Sequence, residues 1–120
     1  MKKLLVIDDD IDHREMMLNN FHRFSGLGDI LFAANGSEGI NVVRSERPDL
    51  AVIDVVLPDM DGYEVCSEIK KIPENHTKVV LMTAHVDAVN AVKARTAGAD
   101  DFRAKTDNLS AIDEAIEQFL

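Results

Sequence analysis

Leu50-Ala51-Val52-Ile53 is a run of four apolar residues, and Asp54 follows it directly. The run is brief, half of it is β-branched, and Pro48-Asp49 and Pro58-Asp59 stand on either side. These features describe a strand buried on both faces, the kind found in parallel sheets. The same form recurs along the chain. Leu4-Leu5-Val6-Ile7 leads into Asp8-Asp9-Asp10, and Val79-Val80-Leu81-Met82 leads into Thr83. A further run covers residues 30–34, and a weaker one at 101–104 leads into Lys105.

Between the apolar runs lie segments with helical spacing. Residues 11–24 place Met17, Phe21 and Phe24 on one face, with Asp12 and Glu15 as a capping box, before Gly26 and Gly28. Residues 37–47 place Ile40, Val43 and Arg44 a turn apart and end at Pro48. Residues 63–71 carry Val65, Ile69 and, just beyond, Ile72 at the same spacing, with Pro73 after them. Residues 86–97 are rich in Ala and Val and stop at Gly98. Residues 108–119 turn Ile112, Ala115, Ile116 and Phe119 inward. The pattern is βα five times over. It predicts a parallel sheet with helices on both faces, because right-handed crossovers put them there.

The chain of 120 residues fits one domain spanning 1–120, long enough to bury roughly two-thirds of its unfolded surface without a disulfide or metal staple. Hydrophobic residues make up 46%, too many for a disordered chain. The net charge of -9 repels phosphate backbones and anionic membranes, which argues against direct nucleic-acid or membrane partners. Met1-Lys2-Lys3 and the apolar run after it resemble the start of a signal peptide, but Asp8 ends the run short of the ~7–15 apolar residues that export needs. The single Cys66 suits a reducing compartment. A cytoplasmic location is the expectation.

Ligands of open α/β sheets bind beyond the carboxyl ends of the strands. The residues expected there are Asp8, Asp9 and Asp10 after the first strand, Asp54 after the third, Thr83 after the fourth and Lys105 after the fifth. Taken singly, an Asp at a strand end is more often a helix cap or turn residue. If the first and third strands are neighbours, three carboxylates meet, and a hard divalent ion relieves their repulsion. Lys105 is then either a plain ion pair or a point charge for a phosphoryl oxygen, and Thr83 either a core hydroxyl or a donor to the same group. A carboxylate nucleophile, a metal, a cation and a hydroxyl are together the parts of a phosphoryl-transfer site.

The stretches Leu4-Leu5-Val6-Ile7-Asp8-Asp9-Asp10, Val52-Ile53-Asp54-Val55-Val56-Leu57-Pro58-Asp59-Met60-Asp61-Gly62, Leu81-Met82-Thr83-Ala84 and Gly98-Ala99-Asp100-Asp101-Phe102-Arg103-Ala104-Lys105 resemble, in order and spacing, the receiver domain of bacterial response regulators. The resemblance implies a flavodoxin-like (βα)5 three-layer sandwich with a parallel sheet of order 2-1-3-4-5. It implies that Asp54 is the phosphoacceptor, fed by a histidine kinase or histidine phosphotransfer protein. Asp9, Asp54 and the Val56 backbone carbonyl would ligate Mg2+, with Asp8 acting through water. Lys105 would contact the phosphoryl group, and Thr83 and Phe102 would be the switch residues. The face built from the last two helices and the fifth strand would then engage a downstream protein or an output domain. Val56 and His85 occupy the positions that tune phosphoryl lifetime. Such a protein catalyses its own phosphorylation and dephosphorylation without being a conventional enzyme.

The chain departs from the family pattern at two places. Thr106 follows Lys105 where the family usually has Pro after a cis peptide; a cis bond before a non-Pro residue costs ~2.5–4 kcal/mol, which favours a reshaped loop. Phe102 replaces the commoner Tyr. Two rival readings stand beside the switch. One is a degenerate receiver that binds partners without phosphorylation. The other is an aspartate-nucleophile phosphatase, which wants a second Asp where Val56 stands. His13, His22 and His76 have no metal-ligand spacing, although His13 falls near the acidic residues. Cys66, Met16 and Met17 read as packing residues.

Overall fold

Strand formation begins with the apolar runs, and each run divides its side chains between two cores. Leu5, Ile7, Ala51, Ile53, Val79 and Leu81 enter one cluster; Leu4, Val6, Leu50, Val52, Val80 and Met82 enter the other. Alternate residues of a strand point to opposite faces, so a strand covered on both sides must be apolar throughout. The computed structural model describes residues 2–21, 24, 26–84, 87–106 and 109–120. Within them the elements run β1 (Lys2–Ile7), α1 (Ile11–Phe21), β2 (Leu27–Ala33), α2 (Gly36–Glu46), β3 (Leu50–Asp54), α3 (Gly62–Lys70), β4 (Lys78–Thr83), α4 (Ala88–Ala97), β5 (Asp101–Ala104) and α5 (Ser110–Phe119).

The strands form one sheet in the order β2-β1-β3-β4-β5, and every pairing is parallel. Helices α2 and α3 lay Ile40, Val43, Val65, Cys66 and Ile69 on one face, joined by Ala94 of α4. Helices α1 and α5 lay Met17, Phe21, Ile112, Ala115 and Ile116 on the other. This is the predicted three-layer sandwich with the predicted strand order. Each fully buried Leu or Ile contributes about 1.5–3 kcal/mol relative to exposure, so the two clusters hold the sheet from both sides.

Several boundaries differ from expectation, each for a local reason. Helix α1 is capped by Asp10, whose Oδ1 accepts from the amides of Asp12 and His13, and not by an Asp12–Glu15 box. Phe24 lies outside α1, buried, with its ring 5.7 Å from that of Phe21. Strand β2 starts at Leu27 and not at Ile30, because Lys2 pairs with Leu27 across an irregular register. Helix α4 starts at Ala88, capped by Asp87. The expected helix starts at residues 86 and 108 fall outside the described residues.

Two glycines are required by the backbone. Gly98 ends α4 at φ 90, a left-handed conformation that glycine adopts without strain. At Gly62, an added Cβ would sit 2.4 Å from the Asp54 carbonyl oxygen and 2.6 Å from the Val55 Cα. Both neighbours are backbone, so the first turn of α3 rests directly on the end of β3. Gly62→Ala is therefore expected to lower unfolding stability by about 2–3 kcal/mol, read as a shifted urea midpoint with an unchanged slope.

Candidate functional site

The parallel register brings the strand ends to one edge. Ile7 pairs with Ile53 and Asp54 with Met82, so Asp8 and Asp54 leave the sheet side by side. The ladder continues past the strands: Val55 N donates to Met82 O at 3.0 Å, and Lys105 N donates to Thr83 O at 2.8 Å. Asp8 is fully buried, Asp54 is 7% exposed and Asp9 is exposed. Ligand oxygens of Asp8, Asp9 and Asp54 all lie within 4.8 Å of one another.

The two buried carboxylates are held alike. Asp10 N donates to Asp8 Oδ1 and Val56 N donates to Asp54 Oδ1, both at 3.0 Å, each closing a short turn onto the Asp that precedes it by two residues. Their second oxygens share one donor. Lys105 Nζ is 3.0 Å from Asp8 Oδ2 and 2.5 Å from Asp54 Oδ2. Burial alone would lower the Lys105 pKa, but the hydrogen bonds it donates to Asp54 and then to Asp8 outweigh it and raise the ammonium above its ordinary range. One ammonium against three carboxylates leaves two negative charges in the pocket. Hard oxygen donors with that residual charge suit a divalent cation, so the residues present fit Mg2+.

The remaining expected residues fall around this cluster. A cavity of about 470 Å3 is lined by His13, Met16, Asp54, Val56, Ala84, Lys105 and Thr106. Thr83 is 4% exposed at the end of β4. Val56 is 74% exposed and offers no titratable side chain. Phe102 is half-buried on β5, paired with Leu81 and packed against the α2–α3 core. His85 lies outside the described residues. The Lys105–Thr106 peptide is trans, with no cis bond among the described residues, yet Lys105 still reaches both carboxylates. Cys66 is buried, and burial pushes its thiol up to about 11, which agrees with a packing role. His76 is exposed and Met17 is buried.

Sequence reasoning missed Asp59. Its carboxylate accepts from Gly36 N at 2.7 Å and Ser37 N at 2.9 Å, tying the loop after β3 to the start of α2. The amides of Ser37 and then Gly36 hold its pKa down, from the ordinary 3.8 to about 2. A group depressed in the folded state stabilises fully above its unfolded value and loses that contribution as pH falls through the folded one. Asp59→Asn is therefore expected to be less stable than the parent at neutral pH. The gap should close between pH 3.8 and about 2, as followed by thermal melts across that window.

A parallel α/β sheet with three carboxylates and a bridging lysine at its carboxyl edge defines a doubly wound protein whose pocket suits a divalent cation. The chain belongs to the response regulator receiver domain family, which it matches over residues 4–117. It is 33% identical over 119 residues to sporulation initiation phosphotransferase F of Bacillus subtilis, covering 99% of this chain and 94% of that protein. It is 36% identical to a probable transcriptional regulator, ycf27, of Cyanophora paradoxa over 87% of this chain, and spans only 42% of that relative's length. Among solved structures, the response regulator TrrA of Thermotoga maritima in complex with Mg2+–BeF superposes with a TM-score of 0.85 at 29% identity, with 100% of each chain covered. The chain is thus a receiver domain of two-component signalling, a class of phosphorylation-controlled switches. Among the described residues no helix is long and apolar enough to cross a membrane.

Proposed function

We propose that Asp54 accepts a phosphoryl group from a phosphohistidine on a histidine kinase or histidine phosphotransfer protein. An Asp54 carboxylate oxygen forms the new bond to phosphorus, the phosphorus–nitrogen bond of the donor breaks, and the leaving imidazole takes up a proton. The observation that carries this reading is the placement of Asp54. It lines an open cavity, with one oxygen held by Val56 N and the other 2.5 Å from the Lys105 ammonium. The carboxylate is thereby oriented, and a cation stands where the peripheral oxygens of the incoming group would lie.

In this reading Asp9, Asp54 and the Val56 carbonyl hold Mg2+, with Asp8 acting through water. The bound ion supplies charge neutralisation for the transferring group. Lys105 passes from the carboxylates to the acyl phosphate, and the Thr83 hydroxyl donates to it. Phe102, already leaning on the core, turns further inward, and the α4-β5-α5 face changes shape for a downstream protein or an output domain. Only groups that contact the two states differently can shift the equilibrium, and in this reading those groups are Lys105 and Thr83. Hydrolysis of the acyl phosphate resets the switch. The phosphatase reading lacks its acid–base residue, because Val56 stands in that place.

The test is incubation with acetyl phosphate, with and without Mg2+, followed by intact-mass measurement. The expected result is one added phosphoryl group that requires Mg2+ and is released by hydroxylamine, as an acyl phosphate must be. No uptake, together with amide spectra unmoved by beryllofluoride and Mg2+, would instead identify a degenerate receiver.

A further inference from the structure

Helices α2 and α3 start at the carboxyl edge of the sheet and run back, so their ends meet at the edge opposite the Asp54 pocket. A cavity of about 360 Å3 lies there, lined by Arg44, Arg47, Glu68, Lys71, Ile72 and Pro73. Three cations therefore stand against one carboxylate, in a chain whose net charge is -9. The Glu68 carboxylate meets Lys71 at 3.5 Å with both side chains exposed, and an ion pair in that much water is worth little. Arg44 is exposed and makes no hydrogen bond or ion pair to any described residue. Arg47 is held differently. It follows α2 at φ 46, a left-handed conformation that glycine would adopt without strain. Its guanidinium donates to the carbonyls of Pro73 and Glu74, both at 3.4 Å, which fixes it beside the cavity. Helix ends attract cations on their own account. That attraction explains Arg44 and Lys71 singly. It does not explain a bulky residue at a strained position, or two unmatched positive charges gathered in one hollow.

We propose that this cleft docks an acidic segment of a protein partner, with its carboxylates on Arg44, Arg47 and Lys71 and its apolar side chains on Ile72 and Pro73. The occupant follows from the charges. A short peptide carrying Asp or Glu supplies what the cleft lacks, and the planar forks of Arg44 and Arg47 each match a carboxylate through two hydrogen bonds. Nucleic acid also offers anionic oxygens, but its long run of phosphates would meet the negative charge of the rest of the chain. A short acidic segment ends where the cations end. The pair of apolar residues among the cations favours a peptide over a bare anion, which has nothing to lay on them. Docking at this edge leaves the carboxyl edge uncovered, so the segment binds whether or not Asp54 carries a phosphoryl group.

The test is titration of the whole chain, labelled with nitrogen-15, with a short capped peptide of alternating Glu and Ile. Inorganic phosphate and a single-stranded oligonucleotide, at matched ionic strength, are the comparison probes. The peptide is expected to shift the amides of residues 44–47 and 68–74, and to bind less tightly as salt rises. Arg44→Gln, Lys71→Gln and Arg47→Gly are each expected to weaken it about 2–5-fold, and the first two together on the order of 10-fold. The glycine variant takes the left-handed position without strain, so it removes the side chain from a chain that still folds. Peptide shifts that are absent from these residues, or that neither salt nor the variants alter, would overturn the inference. Phosphate giving the same shifts at the same concentration would reduce the cleft to a small-anion site, and tighter binding of the oligonucleotide would assign it to nucleic acid; either result rejects the acidic segment.

Discussion

The Asp54→Asn protein is expected to take up no hydroxylamine-labile phosphoryl group from acetyl phosphate and Mg2+, where the parent is expected to take up one. The expected loss is at least about 100-fold, because a neutral amide oxygen is a far weaker nucleophile than a carboxylate. The variant should fold. Asn has nearly the same size, and its oxygen can still accept from Val56 N, the contact that closes the turn after β3. It also removes one of three crowded negative charges, so urea stability is expected to hold or rise. A folded Asp54→Asn chain that still labels would move the acceptor elsewhere, and peptide mapping would then find the true position.

Lys105→Met has the second largest effect, and it divides into two measurable parts. Lys105 is the donor shared by Asp8, which is fully buried, and Asp54, which is 7% exposed. Removing it leaves carboxylates with only their backbone amides, a change that costs about 3 kcal/mol when one partner of a buried pair is lost. The open cavity lets water reach Asp54, so a smaller loss is expected in dilute buffer than in a sealed core. Added Mg2+ should restore much of it and bind more tightly than to the parent, since the ammonium no longer competes for the same oxygens. The parent's own contribution has a defined pH limit. The Lys105 pKa is raised, so its contribution is whole below the ordinary lysine value of 10.5 and disappears as pH climbs through the folded value. A Lys105→Met chain as stable as the parent without Mg2+ would show that the ammonium has no structural role.

The parallel sheet and the residues at its edge were legible because each rests on a short-range signal, whereas the strand order came from the family resemblance. A short, partly β-branched apolar run such as Leu50–Ile53 favours a strand covered on both faces, and the polar residue that ends it then lies at the carboxyl edge. Helix faces were legible through Ile40 and Val43 or Ile112 and Ile116, which recur at helical spacing. What failed was decided by partners distant in sequence or by competition between near neighbours. Strand β2 gains its first residues from pairing with Lys2, although Gly28 and Asp29 are poor strand formers. Asp10 caps α1 because it stands two residues nearer the strand than Asp12 and reaches two amides. Asp59 meets amides 22 and 23 residues earlier, and no spacing rule announces that contact. The approach of His13 to Asp8 and Asp10 did have a local signal, the three-residue interval from Asp10.

Strand β5 is four residues long, lies at the margin of the sheet, and has no fully buried member. It also carries Lys105 directly after it. The lysine that reaches both buried carboxylates therefore follows the shortest strand, at one edge of the open sheet. Shifting that strand by a fraction of a residue sacrifices few apolar contacts, whereas the same shift in β1 or β3 would tear open both cores. Small displacements at that edge are thus cheap, while the centre of the sheet is held by both cores.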